Sequence, residues 1–183
     1  MKNKSLIIIA IIFVAVIALA AIIYPSLSEK ATEALETTTN AQNSEATAQY
    51  PAAQDIKIFD AESNEIKLSE FYGKPIILNF WATWCGYCIQ EMPDFEEAYK
   101  NYGDDIHFLI VNTDDGIKTG EAFIEKQGYT FPTYYDLEYS ATITYGITGI
   151  PRTIAIDADG NIRYNRSGML TAEALEDIIK MIK

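Results

Sequence analysis

Cysteine and histidine are nearly absent from this chain: 183 residues contain Cys85, Cys88 and the single histidine His107. A disulfide-rich secreted scaffold needs more than two cysteines. A zinc site takes four ligands, and one C-x-x-C with a lone distant histidine supplies too few. Bases are scarce as well, 14 against 26 acids, for a net charge of −12. From Asp55 onward there are 22 acids and 11 bases. Such a domain repels phosphate backbones, which argues against a nucleic-acid partner. No internal repeat is present. Redox chemistry is the leading reading for two cysteines three apart.

Charge is missing altogether from Leu6 to Ile23, 18 consecutive apolar residues. As a helix this run rises about 27 Å, close to the hydrocarbon thickness of a bilayer. Lys2 and Lys4 precede it, whereas Glu29 and Lys30 after it cancel, so the positive-inside rule leaves the N-terminus cytoplasmic and exports the remainder. The competing reading is a cleaved signal peptide, because Ala18-Leu19-Ala20 has the small-residue form of a cleavage site. The length of the run, and its continuation to Ile23, favour a retained anchor over residues 1–24. Residues 25–54 are rich in Ala, Thr, Ser, Glu and Gln and have few large apolar groups. Burial there cannot offset chain entropy, which predicts a flexible tether spanning roughly 30 Å.

Residues 55–183 read as one domain. Asp55–Phe59 alternates as a strand and Glu65–Leu68 returns as its hairpin partner. Ser69 is placed to N-cap a helical turn through Tyr72. Pro75–Phe80 is a mostly apolar run of the kind that forms a central, doubly covered strand, and Ile106–Asn112 reads as a second. Between them a helix from about Cys85 to Tyr99 brings Cys88, Met92, Phe95 and Tyr99 onto one stripe, with Glu91 on its edge at the boundary of core and solvent. Pro93 lies inside this helix, removes a backbone bond to Ile89 and should kink it. Ile117–Gln127 is an amphipathic helix stopped by Gly128, and residues 131–136 suggest a short strand before a helical turn to Tyr145. Arg152–Asp157 and Asn161–Asn165 flank the turn Ala158-Asp159-Gly160 as a hairpin, and Thr171–Ile182 closes the chain as a helix. Strands alternating with helices, then a hairpin and a helix, give an α/β sheet of mixed direction.

A cysteine at the start of a helix that follows a buried strand is a recipe for a reactive thiol. Unsatisfied N–H groups and the helix dipole favour the thiolate of Cys85, and Cys88, one turn on, can resolve a mixed disulfide from the enzyme side. Gly86 and Tyr87 keep the loop tight, and Trp84 forms an apolar collar at the sulfur. The alternative is a structural bridge, but closing four residues constrains the unfolded chain by only about 2 kcal/mol. Stability is a poor reason for it. His107 is most simply a strand residue, and the acidic pairs Glu96/Glu97, Asp104/Asp105 and Asp114/Asp115 read as solvated faces or turns, with recognition of a basic partner as the alternative.

Asn79-Phe-Trp-Ala-Thr-Trp-Cys-Gly-Tyr-Cys88, followed by Glu91-Met-Pro93, resembles the membrane-anchored thioredoxin-like disulfide reductases of the TlpA/ResA group, over about residues 50–183. Gly149-Ile150-Pro151-Arg-Thr matches that group's cis-proline loop opposite the cysteines, and Asp157-Ala-Asp-Gly160 the hairpin after it. The resemblance implies a thioredoxin-like α/β fold: a central mixed sheet flanked by helices, with an N-terminal hairpin and a central insertion, behind one transmembrane helix. It implies a protein-disulfide reductase with Cys85 as nucleophile, Cys88 as resolver and Glu91 tuning the protonation of the buried cysteine. Trp84, Gly86, Tyr87, Ile150 and Pro151 would contact substrate. No cofactor is required. Implied partners are disulfide-containing exported proteins, in cytochrome c maturation or related repair, and a membrane thiol-electron transporter of the CcdA/DsbD type. Asn79 replaces the buried aspartate of cytoplasmic-type thioredoxins. The departure is Gly86-Tyr87, which resembles the pair of periplasmic disulfide isomerases and keeps an oxidase or isomerase open. A non-catalytic binding module of the same fold is the alternative of another class.

Overall fold

A computed structural model describes residues 51–183; the expected anchor, residues 1–24, and the tether up to residue 50 lie outside the described residues. The elements in chain order are β1 (Lys57–Phe59), β2 (Glu65–Lys67), a 3-10 turn (Leu68–Phe71), β3 (Ile76–Trp81), α1 (Gly86–Tyr102), β4 (His107–Asn112), α2 (Ile117–Gln127), β5 (Thr133–Tyr135), α3 (Ser140–Thr144), β6 (Arg152–Ile156), β7 (Ile162–Ser167) and α4 (Ala172–Ile182). Seven strands form one sheet in the order β2-β1-β5-β4-β3-β6-β7. The β3–β4 and β4–β5 pairs are parallel, while β1–β2, β1–β5, β3–β6 and β6–β7 are antiparallel. This is the expected mixed sheet with its N-terminal hairpin. The segment between β4 and β6 supplies α2, β5 and α3. No helix among the described residues is long and apolar enough to cross a membrane.

The strand period of two sorts β3 into two cores. Ile77 and Trp81 face the layer of α1 and α4 with Cys88, Met92, Phe95, Leu175 and Ile179. Ile76, Leu78 and Phe80 face the other way, onto Ile56, Ile58, Leu68 and Ala141. Both faces are covered, which is why all six residues of the strand are buried. The same parity directs Asn79 toward α1. Helix α1 runs unbroken through Pro93 to Tyr102, and Gly128 ends α2 in the left-handed conformation, φ 74°.

Two local expectations are corrected. Ser69 does not cap the turn it begins: Lys67 is the N-cap, and the Asp55 carboxylate accepts both the Ser69 N–H and its hydroxyl, each at 2.9 Å. The acid two residues before β1 reaches the free donor first. Residues 51–54, assigned to the tether, belong to the fold. Ile162 N–H donates to Pro51 O at 2.9 Å, Ala53 N–H to Gly160 O at 2.8 Å, and Tyr145 hydroxyl to Gln54 O at 2.8 Å. Backbone pairing to the β6–β7 turn makes side-chain hydrophobicity unnecessary there, so composition alone misplaces the boundary.

Candidate active site

Strand β3 delivers the chain to the C-terminal end of the sheet, where Ala82 to Trp84 turn it into α1. Cys85 is the N-cap residue, with extended backbone (φ −83°, ψ 100°), and its sulfur accepts the Cys88 N–H at 3.2 Å. Cys85 and Cys88 are joined in a disulfide, S–S 2.04 Å. Cys85 retains 6 % exposure and Cys88 none, so a reagent arriving from solvent meets only the first sulfur. A free N–H at a helix N-terminus stabilises sulfur-borne negative charge. The Ile150–Pro151 peptide bond is cis, at the residue expected, and Pro151 is buried while Gly86, Tyr87 and Trp84 are exposed.

Glu91 departs from expectation. The helical wheel puts it at the core boundary, but it is 1 % exposed, because α1 packs onto the sheet while the segment leading into α4 covers it from the side. Asn79 Nδ2 donates to Glu91 Oε1 at 2.9 Å and to Thr153 Oγ1 at 3.1 Å. Leu170 N–H donates to Oε2 at 2.8 Å. Asn79 and Thr153 are register partners on β3 and β6, so one polar stripe crosses the apolar face of the sheet beneath α1. Burial pushes the Glu91 carboxyl up to about 7; the bonds from Leu170 and Asn79 offset part of this, and Asp94 adds to it. Cys88 and Glu91, three residues apart on one helix, are neighbours on its surface, with Cβ atoms about 5–6 Å apart by helix geometry. A carboxyl that titrates near neutrality beside a buried thiol can exchange a proton with it.

Of the acidic pairs, Glu97, Asp104, Asp105 and Asp114 are exposed and both aspartate pairs lie in turns, as expected, but Glu96 is not solvated. Glu96 is buried, accepting from Thr130 N–H at 2.8 Å, Thr130 Oγ1 at 2.7 Å and Phe131 N–H at 3.3 Å, and pairing with Lys100 at 3.0 Å. It ties α1 to the α2–β5 connection. Asp115 accepts from Thr83 N–H at 2.6 Å, Thr83 Oγ1 at 2.7 Å and Asn112 Nδ2 at 2.8 Å. Asp114 accepts the Trp84 indole N–H at 3.1 Å. The loop after β4 therefore fixes the turn that presents Cys85. These residues were missed as site components. Their one sequence signal was Asn112 three before Asp115, whose Oδ1 accepts the Asp115 N–H at 2.9 Å in a side-chain-closed turn. His107 is a strand residue, its ring 5.2 Å from that of Phe71.

The chain matches the Redoxin family over residues 45–179. It is 34 % identical over 132 residues to the thiol-disulfide oxidoreductase ResA of Geobacillus thermodenitrificans, covering 72 % of this chain and 76 % of that one. The crystal structure of a candidate thiol-disulfide oxidoreductase from Bacteroides vulgatus superimposes with a TM-score of 0.66 at 35 % identity, over 75 % of this chain and 100 % of that chain. The crystal structure of StoA from Bacillus subtilis does so with a TM-score of 0.61 at 28 % identity, over 70 % and 99 %.

Proposed function

Because the chain belongs to the Redoxin family and is a thiol-disulfide oxidoreductase of the ResA and thioredoxin type, we propose that it is an extracytoplasmic reductant of exported protein disulfides. The observation that carries the proposal is the asymmetry of the pair. Cys85 caps the helix at the surface, while Cys88 is sealed beneath it next to a carboxyl that titrates near 7.

In the reduced enzyme the Cys85 thiolate attacks one sulfur of a substrate disulfide, and the other leaves as a thiolate. The Cys88 thiol then passes its proton to Glu91 and attacks Cys85 Sγ. This expels the second substrate sulfur and leaves the Cys85–Cys88 disulfide. Two electrons move from enzyme to substrate, and no cofactor takes part. Trp84, Gly86 and Tyr87, neighbours of Cys85 in the chain, form with Ile150 and Pro151 the surface on which substrate rests in this reading. Rereduction draws on a membrane thiol-electron transporter of the CcdA/DsbD type. The apolar run Leu6–Ile23 anchors the chain with its catalytic domain outside. Cytochrome c maturation, or repair of other exported proteins, is the setting that the resemblance to ResA supports.

The Gly86-Tyr87 pair favours a second reading, a disulfide oxidase or isomerase. The Cys85–Cys88 reduction potential separates the two. A value near thioredoxin's, about −270 mV, supports the reductant, and one near about −120 mV overturns it.

A further inference from the structure

A groove of about 200 Å³ is lined by Trp84, the residue before Cys85, together with Tyr139, Thr148–Ile150 and Asp114. Its aromatic walls are open to solvent, Trp84 at 64 % and Tyr139 at 53 % exposure. The Trp84 N–H is committed to Asp114 Oδ2, so the indole offers only its apolar body and π-surface. Among the described residues, Asp114 Oδ1 accepts no hydrogen bond and no lysine or arginine pairs with Asp114. No base lines the groove. Arg152, beside Pro151, is occupied by Asn165 Oδ1 at 2.7 Å and Ser167 Oγ at 3.0 Å.

Tyr139 stands in the left-handed region, φ 57°, ψ 20°, which a bulky side chain rarely adopts. Its turn is held from outside the groove. Tyr139 N–H donates to Asp136 O at 3.2 Å, and the buried Asp136 carboxylate accepts from Ala141 N–H at 3.1 Å and Thr142 N–H at 2.7 Å. Unfavourable backbone maintained by a dedicated buried carboxylate marks a position whose side chain is used.

An unpaired carboxylate oxygen lining the same groove as two exposed aromatic rings suits a long cationic side chain, whose methylene stem lies on the rings and whose charge meets both the π-systems and the carboxylate. We propose that this groove selects substrate polypeptides carrying a lysine or arginine close to the disulfide cysteine that Cys85 attacks. The inference rests on the reading of Cys85 as the nucleophile toward protein disulfides and adds the substrate's side-chain class to it.

The test uses reduced enzyme and disulfide peptides identical except for lysine, norleucine or glutamate within three residues of the cysteine. The lysine peptide is expected to exceed the norleucine peptide about 10-fold in kcat/KM, mostly through KM, with the ratio shrinking at high salt. Asp114→Asn keeps an acceptor for the indole but removes the charge, and is expected to bring the ratio close to one. Asp114→Lys is expected to turn the preference toward the glutamate peptide. Equal rates for lysine and norleucine peptides in the unaltered enzyme overturn the groove's role and leave the reductase reading standing. So does a lysine preference that survives Asp114→Asn. Failure to reduce any of the three peptides strikes the reductase reading itself, and the groove proposal falls with it.

Discussion

Replacing Glu91 by glutamine changes the pH dependence of stability by an amount that follows from the site. In the oxidised protein burial lifts this carboxyl from 4.5 to about 7. The folded state therefore holds a proton that the unfolded chain releases. Stability from this group is fully present below pH 4.5, falls by about 1.4 kcal/mol per pH unit above it, and levels off above about pH 7. The whole loss is on the order of 3 kcal/mol. Exposure of only 1 % leaves little solvent screening to reduce it. In Glu91→Gln the amide oxygen accepts from Leu170 N–H, and its NH2 group donates to Asn79 once that side chain flips. The contacts with Leu170 and Asn79 are kept, and nothing titrates. Urea unfolding of both oxidised proteins from pH 4 to pH 8 is the assay. Taking the difference cancels every other titrating group. The variant is expected to gain about 3 kcal/mol on the parent across that range, while resolving mixed disulfides more slowly because Cys88 has lost its proton acceptor. Parallel stability curves would refute the burial argument and the proton-transfer role with it.

Cys88→Ala is expected to accumulate mixed disulfides with substrate on non-reducing gels and Cys85→Ala to accumulate none; equal trapping reverses the assignment of nucleophile and resolver. Asp115→Ala strands Thr83 N–H, Thr83 Oγ1 and Asn112 Nδ2, for an expected loss of about 2–4 kcal/mol in urea unfolding and slower alkylation of Cys85. Unchanged values would show that the loop after β4 does not hold the Cys85 turn. In Gly120→Ala the new Cβ lies 2.7 Å from Tyr135 Cε1, a ring 1 % exposed. Overpacking is expected to cost about 1–3 kcal/mol although alanine is the better helix former, read as a fall in Tm. External protease on intact spheroplasts is expected to release a soluble fragment by cutting within residues 25–50. Protection of the domain until the cells are lysed would place it in the cytoplasm.

Much of this protein is legible in its sequence because the signals are local. The apolar runs of β3 and β4, the Gly128 stop and the Asp-Gly turn before β7 each express backbone chemistry that acts over a few residues. The C-x-x-C at a helix start, and Pro151 opposite it, belong to a pattern compact enough to be matched along the chain. Three things needed the tertiary structure. The burial of Glu91 depends on Leu170, 79 residues away, and on a backbone N–H that carries no side-chain identity to read. Helical periodicity reports the face of one helix but not what a later segment lays over its edge. Asp114 and Asp115 looked like a solvated charge pair because sequence shows their charge and hides the donors, Thr83 and Trp84, that the parallel pairing of β3 and β4 brings beside them. Residues 51–54 resembled tether because strand-like pairing through the backbone leaves no mark on composition. Sequence located the cysteine pair that forms the disulfide. Long-range packing decided the dielectric and the hydrogen bonds around them, and through these the protonation of Glu91.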